Sequence, residues 1–363
     1  MRILKNGPAR VACLAGLAGI GAAPLPAQAV GADQLTLFGV FDTFATRLHA
    51  DGLAPVVRLD ASGLLASRIG LRGREELGGG WRSNFLLEAG LDGDVGAQPD
   101  GNRLFNRQAW VSLAGAPGEV RLGRQNTPQF YMNGKFDAFT SATQASGWNN
   151  LFGAPPRLDN AIGYLSPSWG GWTVQALAGR GATGGAAPSA ELAANQSTHL
   201  AVEAVGEGWY WGANYQLVKN ASLPYSARRD STGGSWDAGH GWTLFGAAGR
   251  ETRSDASQHI QLYSLSLRYR GAGPYSVSVG WAGLRDHLSG AGHGNADQLG
   301  ALYLYLLSTR TTLYGALARL NQQGRRNSFA LVGAAVVAPA AQLRSPQPGG
   351  DLQGLQLGIL HTF

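Results

Sequence analysis

Between residues 67 and 91 the sequence alternates between apolar and polar side chains, and this pattern limits the possible folds more than any other feature. A period of two places successive side chains on opposite faces of a β-strand. One face carries Ile69, Leu71, Trp81, Phe85 and Leu87. The other face carries Arg68, Arg72, Arg74, Arg82 and Glu88. The glycines at residues 78–80 permit the positive φ angles of a short turn. The segment therefore predicts a β-hairpin with its arginines on one face.

A sheet with one apolar face and one arginine-rich face fits two environments. A soluble β-sandwich buries its apolar faces and leaves the arginines in water. A membrane β-barrel turns the apolar face toward lipid and the polar face toward a wet lumen. The chain has 54 glycines, 10 tryptophans and 11 tyrosines at a mean hydropathy of −0.10, a balance typical of alternating strands. No run of about 18 apolar residues follows residue 30, which excludes a helical membrane protein.

Residues 1–29 have the features of a secretory signal peptide. An apolar segment at residues 11–23 precedes an Ala-Gln-Ala cleavage signal at residues 27–29. The single cysteine, Cys13, lies in this segment, so residues 30–363 are expected to form a barrel domain without disulfides. Removal of three cations lowers the formal net charge from +6 to 6 − 3 = +3, which disfavours a nucleic-acid partner. Those three cations are Arg2, Lys5 and Arg10.

Turn signals divide the remaining chain into sixteen strand-like segments. Short glycine-rich turns alternate with long loops, which include residues 181–196, 219–234 and 325–350. Outer-membrane barrels pair short turns with long loops in this way. The weakest strand, the tenth, is placed at residues 235–238, and an apolar run at residues 329–337 is assigned to the last loop. The pattern predicts an all-β fold, a sixteen-stranded antiparallel transmembrane barrel.

The last strand ends on Phe363, and an aromatic end to an alternating strand is typical of barrels inserted into the Gram-negative outer membrane. We expect the barrel-assembly machinery to recognise Phe363. We also expect outer-membrane lipid and lipopolysaccharide to surround the barrel.

Seven segments resemble the general porins of Gram-negative bacteria, particularly the neisserial and betaproteobacterial branch. They are residues 35–42, 67–80, 107–113, 118–125, 136–143, 305–317 and 358–363. The resemblance implies a homotrimer of sixteen-stranded barrels, each with its third extracellular loop folded inward to narrow the lumen. Residues 126–156 correspond to that constriction loop, and a connection of this length is expected only where it has a function. Thr362 stands where the family usually has a basic residue.

The resemblance also places a ladder of basic residues on the wall that faces the third loop. The residues that match this ladder are Arg68, Arg107 and Arg157, with Arg72 and Arg124 nearby. The loop itself contains only two charged residues, Lys135 and Asp137, and so lacks the acidic cluster of cation-preferring relatives. Arg344 is a candidate for a further basic residue from the last loop.

Arginines on one wall of a channel with low-dielectric surroundings create a positive potential that enriches anions. We therefore predict a water-filled channel for passive diffusion of small hydrophilic solutes, anionic or neutral, with a preference for anions. The opposing interpretation is that Glu88, Asp42 or Asp137 pairs with the arginines and neutralises them. No catalysis, cofactor or metal is expected, because the seven histidines lack metal-ligand spacing and no nucleophile motif is present.

Other functions remain open. A solute-specific channel could use the aromatic residues of the third loop, which are Phe130, Tyr131, Phe136, Phe139 and Trp148. A plugged barrel could serve as a receptor or adhesin, and an outer-membrane hydrolase would need a buried Ser/His pair. A soluble sandwich would need no detergent.

Overall fold

The computed structural model describes residues 34–101, 103–140, 142–153, 156–180, 196–219, 225–334 and 342–363. The predicted signal peptide lies outside these ranges.

The described part of the chain contains seventeen β-strands and two short α-helices. The first six strands are β1 (Gln34–Ala50), β2 (Val56–Ala61), β3 (Arg68–Gly78), β4 (Trp81–Gly90), β5 (Gln108–Gly115) and β6 (Gly118–Asn126). The helices α1 (Pro128–Phe136) and α2 (Gly147–Leu151) follow. The remaining strands are β7 (Arg157–Leu165), β8 (Trp172–Arg180), β9 (Gln196–Gly206), β10 (Trp209–Lys219), β11 (Ser226–Gly239), β12 (Trp242–Arg253), β13 (His259–Arg270), β14 (Tyr275–Asp286), β15 (Ala296–Leu306), β16 (Thr311–Gln322) and β17 (Leu352–Thr362). Neither helix is long and apolar enough to cross a membrane.

The strands form one closed antiparallel barrel with sixteen strand positions around the cylinder. From β3 onward, each strand pairs with the next in sequence, and residues 40–50 of β1 pair with residues 352–362 of β17 to close the cylinder. The strands β2 and β3 both pair with β1, at residues 43–48 and 34–40 respectively, so together they occupy a single position. The prediction of a sixteen-stranded barrel is therefore confirmed.

The outer surface of the barrel is apolar, as the alternation predicts. Side chains such as Leu37, Ile69, Val111, Leu122 and Ile162 are exposed, and their strand neighbours point inward. Exposed aromatic residues cluster beside the short turns, at one end of the barrel that we call the short-turn end. These residues include Trp81, Trp169, Trp172, Trp209, Trp242 and Tyr275. An aromatic belt of this kind is typical of the interface between lipid and water.

Phe363 stabilises the pairing of β1 and β17, which closes the barrel, at the short-turn end. The Gly39 amide donates to the Phe363 carbonyl over 3.0 Å, and the Phe363 amide donates back over 3.1 Å. A Cβ atom at Gly39 would lie 2.1 Å from the Phe363 ring, so only glycine leaves room for that ring. The aromatic end of the chain thus has a structural role within the barrel itself.

The tenth barrel strand is much longer than the sequence suggests, and the prediction of a long loop was wrong for residues 226–234, while residues 220–224 lie outside the described ranges. Residues Ser226–Gly239 form one strand of fourteen residues, β11. Its inward face carries Gly233, where a Cβ atom would lie 2.8 Å from the Phe136 ring of the third loop. The strand lacks an apolar signal because its outward positions carry Arg228, Asp230, Thr232 and Gly234 instead of apolar side chains.

The other two predicted long loops lie partly outside the described residues. Residues 181–195 and 335–341 are not described. Residues 329–334 have no regular secondary structure, which confirms their assignment to the last loop. Leu331 is buried beside the third loop, and the Val332 amide donates to Asn150 Oδ1 over 3.2 Å.

Candidate functional site

The third loop folds into the barrel and packs against its inner wall. Its two helices begin at capping side chains: Thr127 accepts from the Phe130 amide over 3.3 Å, and Ser146 accepts from the Asn149 amide over 3.1 Å. Below the caps, apolar residues of the loop join a buried cluster with residues of the barrel wall. The loop residues in this cluster are Met132, Phe136, Trp148, Leu151 and Phe152.

Most of the aromatic residues of this loop are turned away from the lumen. Phe136, Phe139 and Trp148 are at most 2% exposed. Trp148 packs edge-on against Phe136 at 5.6 Å between ring centroids and against Phe152 at 5.3 Å. The suggestion that these three residues form an aromatic path for a solute is therefore wrong, because they anchor the loop instead.

The two remaining aromatic residues, Phe130 and Tyr131, are more than one third exposed. The Tyr131 hydroxyl donates to Gln108 Oε1 over 3.2 Å at the barrel wall. Loss of water at this contact raises the pKa of Tyr131, so its hydroxyl stays neutral.

The two charged residues of the loop hold it in place. Asp137 is 2% exposed, and it accepts hydrogen bonds from the Phe139 amide and the Ser146 hydroxyl within the loop. The Lys135 ammonium lies 2.6 Å from Glu203 Oε1 on β9 and 4.8 Å from the centroid of the Tyr210 ring on β10.

Glu88 lies between two of those arginines. Its carboxylate accepts from Arg107 Nε over 2.6 Å, and its second oxygen lies 3.5 Å from Arg68 Nε. Arg107 and Glu88 are both less than 10% exposed. One carboxylate is therefore shared by two guanidinium groups and neutralises only one of their two positive charges. Asp42 does not join this cluster, because it accepts from the amides of Leu64 and Leu65 at 2.7 Å each and from the Tyr314 hydroxyl.

Arg124 pairs with an acidic residue that sequence reasoning missed. Its guanidinium binds Asp159 on β7, and its Nε donates to the Asn106 carbonyl over 2.8 Å. Asp159 also lies 3.1 Å from Arg103 in the connection between β4 and β5. Asp159 sits two residues after Arg157, so the alternation of β7 could have placed it on the same inward face.

An irregularity in strand pairing brings Arg124 to the lumen. Simple alternation would group Arg124 with Val120 and Leu122, which are exposed on the outer surface. At Gly123 the φ angle is +126°, and the register between β6 and β7 shifts by one residue before Gln125. Such bulges redirect side chains and bend strands. Arg124 consequently lines the same cavity as Arg107 and Arg157.

Replacing Gly123 with alanine is expected to lower the free energy of unfolding by about 2 kcal/mol or more, since a Cβ atom would lie 2.2 Å from the Ala109 carbonyl oxygen at a positive φ. Urea unfolding of the refolded barrel measures this loss. Gly246→Ala is the matched control, because its nearest neighbour would be 3.4 Å away and its φ is not positive. Equal midpoints for the two variants would contradict the expectation.

Arg157 is the arginine of this group for which the described residues supply no counter-ion. Among the described residues it forms no ion pair, and its buried Nε atom has no hydrogen-bond partner. Its guanidinium lies 5.7 Å from the centroid of the Phe130 ring. It lines a cavity of about 570 Å³ between the third loop and the barrel wall.

The charges around this cavity change along the barrel axis. The arginine cluster, defined as Arg68, Arg107, Arg124 and Arg157, faces Glu88 and Asp159, which gives 4 − 2 = +2. Nearer the long loops the cavity is also lined by Asp92 and Asp94. Burial and the neighbouring Asp94 raise the pKa of Asp92. Within this cavity the positive excess therefore lies at the level of Arg157.

The other two predicted site residues lie elsewhere. Arg72 lies in a separate cavity toward the short-turn end, with its guanidinium 5.7 Å from the centroid of the Phe38 ring. Arg344 is exposed and donates to Gln342 Oε1 over 2.8 Å in the last loop. The described residues contain no group of three His, Cys, Asp or Glu side chains placed to hold a metal ion.

Comparison with known proteins agrees with this architecture. Residues 12–325 match the Gram-negative porin family. The chain is 30% identical over 353 residues to outer membrane porin protein 32 of Delftia acidovorans, covering 92% of this chain and 95% of that protein. It is 31% identical over 172 residues to an outer membrane porin protein of Bordetella pertussis, covering 42% of this chain and 45% of that protein.

Solved structures show the same fold. An anion-selective porin from Comamonas acidovorans superposes with a TM-score of 0.74 at 27% identity, covering 92% of this chain and all (100%) of that one. The trimer form of OmpT from Vibrio cholerae superposes with a TM-score of 0.67 at 11% identity, covering 92% of this chain and 100% of that one, which shows the fold alone. With a closed barrel, an inward-folded loop and these matches along most of its length, the chain belongs to the family of Gram-negative outer-membrane porins.

Proposed function

We propose that this porin is an anion-preferring channel for passive diffusion of small hydrophilic solutes, and that its preference arises at the arginine cluster. The observation that supports this proposal most directly is Arg157, which has no ion pair in the described residues and belongs to a cluster with an excess of two positive charges. Fixed positive charge within low-dielectric walls attracts anions. The similar porin from Comamonas acidovorans is described as anion-selective.

Arginine suits this position better than lysine. Neighbouring guanidinium groups keep their charge when crowded, whereas a crowded ammonium group loses its proton more readily. The proposal is tested by the reversal potential of the refolded protein in a planar bilayer under a KCl gradient. A potential that favours chloride supports it, and a potential that favours potassium overturns it.

Replacing Glu88 with glutamine is expected to strengthen the anion preference, because Arg68 and Arg107 would lose their shared carboxylate and the cluster would change from +2 to 4 − 1 = +3. We expect the chloride-to-potassium permeability ratio to rise by about twofold to tenfold. The measurement is the reversal potential under the same KCl gradient. A matched control is Glu207→Gln at a short turn, away from the cluster. An unchanged ratio in Glu88→Gln would contradict the role given to this carboxylate.

We also propose a homotrimer, as in the trimer form of the OmpT structure. The exposed apolar outer surface would supply the contact between copies. Chemical cross-linking in detergent tests this assembly, and a ladder that ends at the monomer overturns it. Recognition of Phe363 by the barrel-assembly machinery and binding of lipopolysaccharide stay predictions.

A further inference from the structure

A second arginine-rich cavity of about 560 Å³ lies in the lumen toward the short-turn end. It is built from the inward faces of β1, β3, β4, β5 and β6. Strand pairing sets its residues in register: Arg72 is opposite Leu86, and Leu86 is opposite Trp110. Arg72 follows Arg68 by four residues on the same strand, so this cavity lies roughly 13 Å along the strand from the arginine cluster.

The second cavity repeats the charge balance of the first with different residues. Arg74 pairs with Glu76, and Arg121 pairs with Glu119 over 2.8 Å. Arg72 and Arg82 form no ion pair within the described residues, although the charge of Arg82 acts on Glu119. Four arginines thus face two carboxylates, which gives 4 − 2 = +2.

In the second cavity, two arginines lie beside aromatic rings that also line it. The Arg121 guanidinium lies 4.6 Å from the centroid of the Trp110 ring, and that of Arg72 lies 5.7 Å from the Phe38 ring. Leu86 lies between them on the same wall. A guanidinium stacked on a ring keeps its N–H groups free at the edge, where they can bind a carboxylate through two parallel hydrogen bonds.

We propose that this cavity is a second binding site of the channel, and that it selects carboxylates that carry an apolar or aromatic body. Arg72 and Arg82 bind the carboxylate, and Phe38, Leu86 and Trp110 contact the body. Small inorganic anions gain only the charge, so the site retains organic anions longer than chloride. This inference rests on the proposed function, because it takes the lumen to be open to anions.

Current block in planar bilayers tests the site, with benzoate and acetate as probes at equal concentration. For the unmodified protein we expect benzoate to reduce or interrupt the single-channel current at concentrations at which acetate does not. In R72Q/R82Q the half-blocking concentration of benzoate should rise about tenfold or more, since two charge-assisted contacts are lost. The matched control is R285Q/R310Q, which also removes two positive charges: Arg285 faces outward near the long loops and pairs with Asp297, and Arg310 is exposed in a short turn.

A neutral substitution separates the apolar contact from the charge. Leu86→Asn keeps the branching of the side chain and the net charge, so the reversal potential in KCl should stay unchanged while the difference between benzoate and acetate shrinks. Equal block by benzoate and acetate in the unmodified protein would overturn the site. Block that persists in R72Q/R82Q but vanishes in R157Q would assign it to the arginine cluster instead. The KCl reversal potential without benzoate is measured in the same bilayers, so failure of the anion preference is seen separately.

Discussion

Replacing Arg157 with glutamate is expected to remove most of the anion preference of this channel. The arginine cluster would change from +2 to 3 − 3 = 0, because one guanidinium is lost and one carboxylate is added. A unit charge about 5 Å from a permeating ion contributes roughly 1–3 kcal/mol at the dielectric constants of a wet protein surface. The chloride-to-potassium permeability ratio, measured from the reversal potential, should therefore fall about tenfold or more.

Arg310→Glu provides the matched control for this prediction. Arg310 is exposed in the short turn between β15 and β16, outside the lumen, and the same substitution there changes the total charge equally. Its reversal potential should remain close to that of the unmodified protein. Equal shifts in the two variants would mean that total charge, and not the charge beside the cavity, sets the selectivity.

Replacing Trp148 with alanine is expected to release the third loop from the barrel wall. The side chain is 1% exposed and packs against Phe136 and Phe152, so its loss leaves a cavity and costs about 3–5 kcal/mol of packing energy. The barrel strands keep their own hydrogen bonds, so the lost packing energy weakens only the attachment of the third loop to the barrel wall. We expect higher and more variable single-channel conductance.

Proteolysis provides an independent measurement of the same release. Lys135 is tied to Glu203 in the attached loop, and trypsin should cut after Lys135 faster once the loop is free. Trp169→Ala is the control, since Trp169 is exposed beside a short turn and contributes little to packing of the third loop. A Trp148→Ala channel with unchanged conductance and unchanged cleavage would show that other contacts hold the loop.

The barrel was predictable from the sequence because the alternation of apolar and polar residues is a local pattern within each strand. Alternation decides which side chains face lipid, and every strand repeats it, so Leu37, Ile69 and Val111 could be placed without tertiary information. The tenth strand escaped prediction for a physical reason. Its outward positions carry Arg228, Asp230, Thr232 and Gly234, so the strand lacks the alternating apolar side chains that signal a lipid-facing surface.

The site was predictable only in part. The resemblance predicts Arg68, Arg107 and Arg157 as site residues, but whether an arginine carries uncompensated charge depends on neighbours distant in sequence. The pairing of Arg124 with Asp159 depends on a register shift that alternation cannot reveal. The burial of Trp148 depends on which side of the third loop meets the wall, and its two short helices carry no clear apolar stripe from which to judge.

The seam between β1 and β17 has a consequence for how the protein reaches its native state. It joins residues 40–50 to residues 352–362, so more than 300 residues separate the partners. Folding is slow when contacts are this distant, because the entropy of a large loop must be lost before the contacts form. Until the last strand arrives, β1 presents an unpaired edge that could pair with another chain. Completion of the cylinder therefore depends on the final segment, and the chain needs protection from aggregation until that segment is in place.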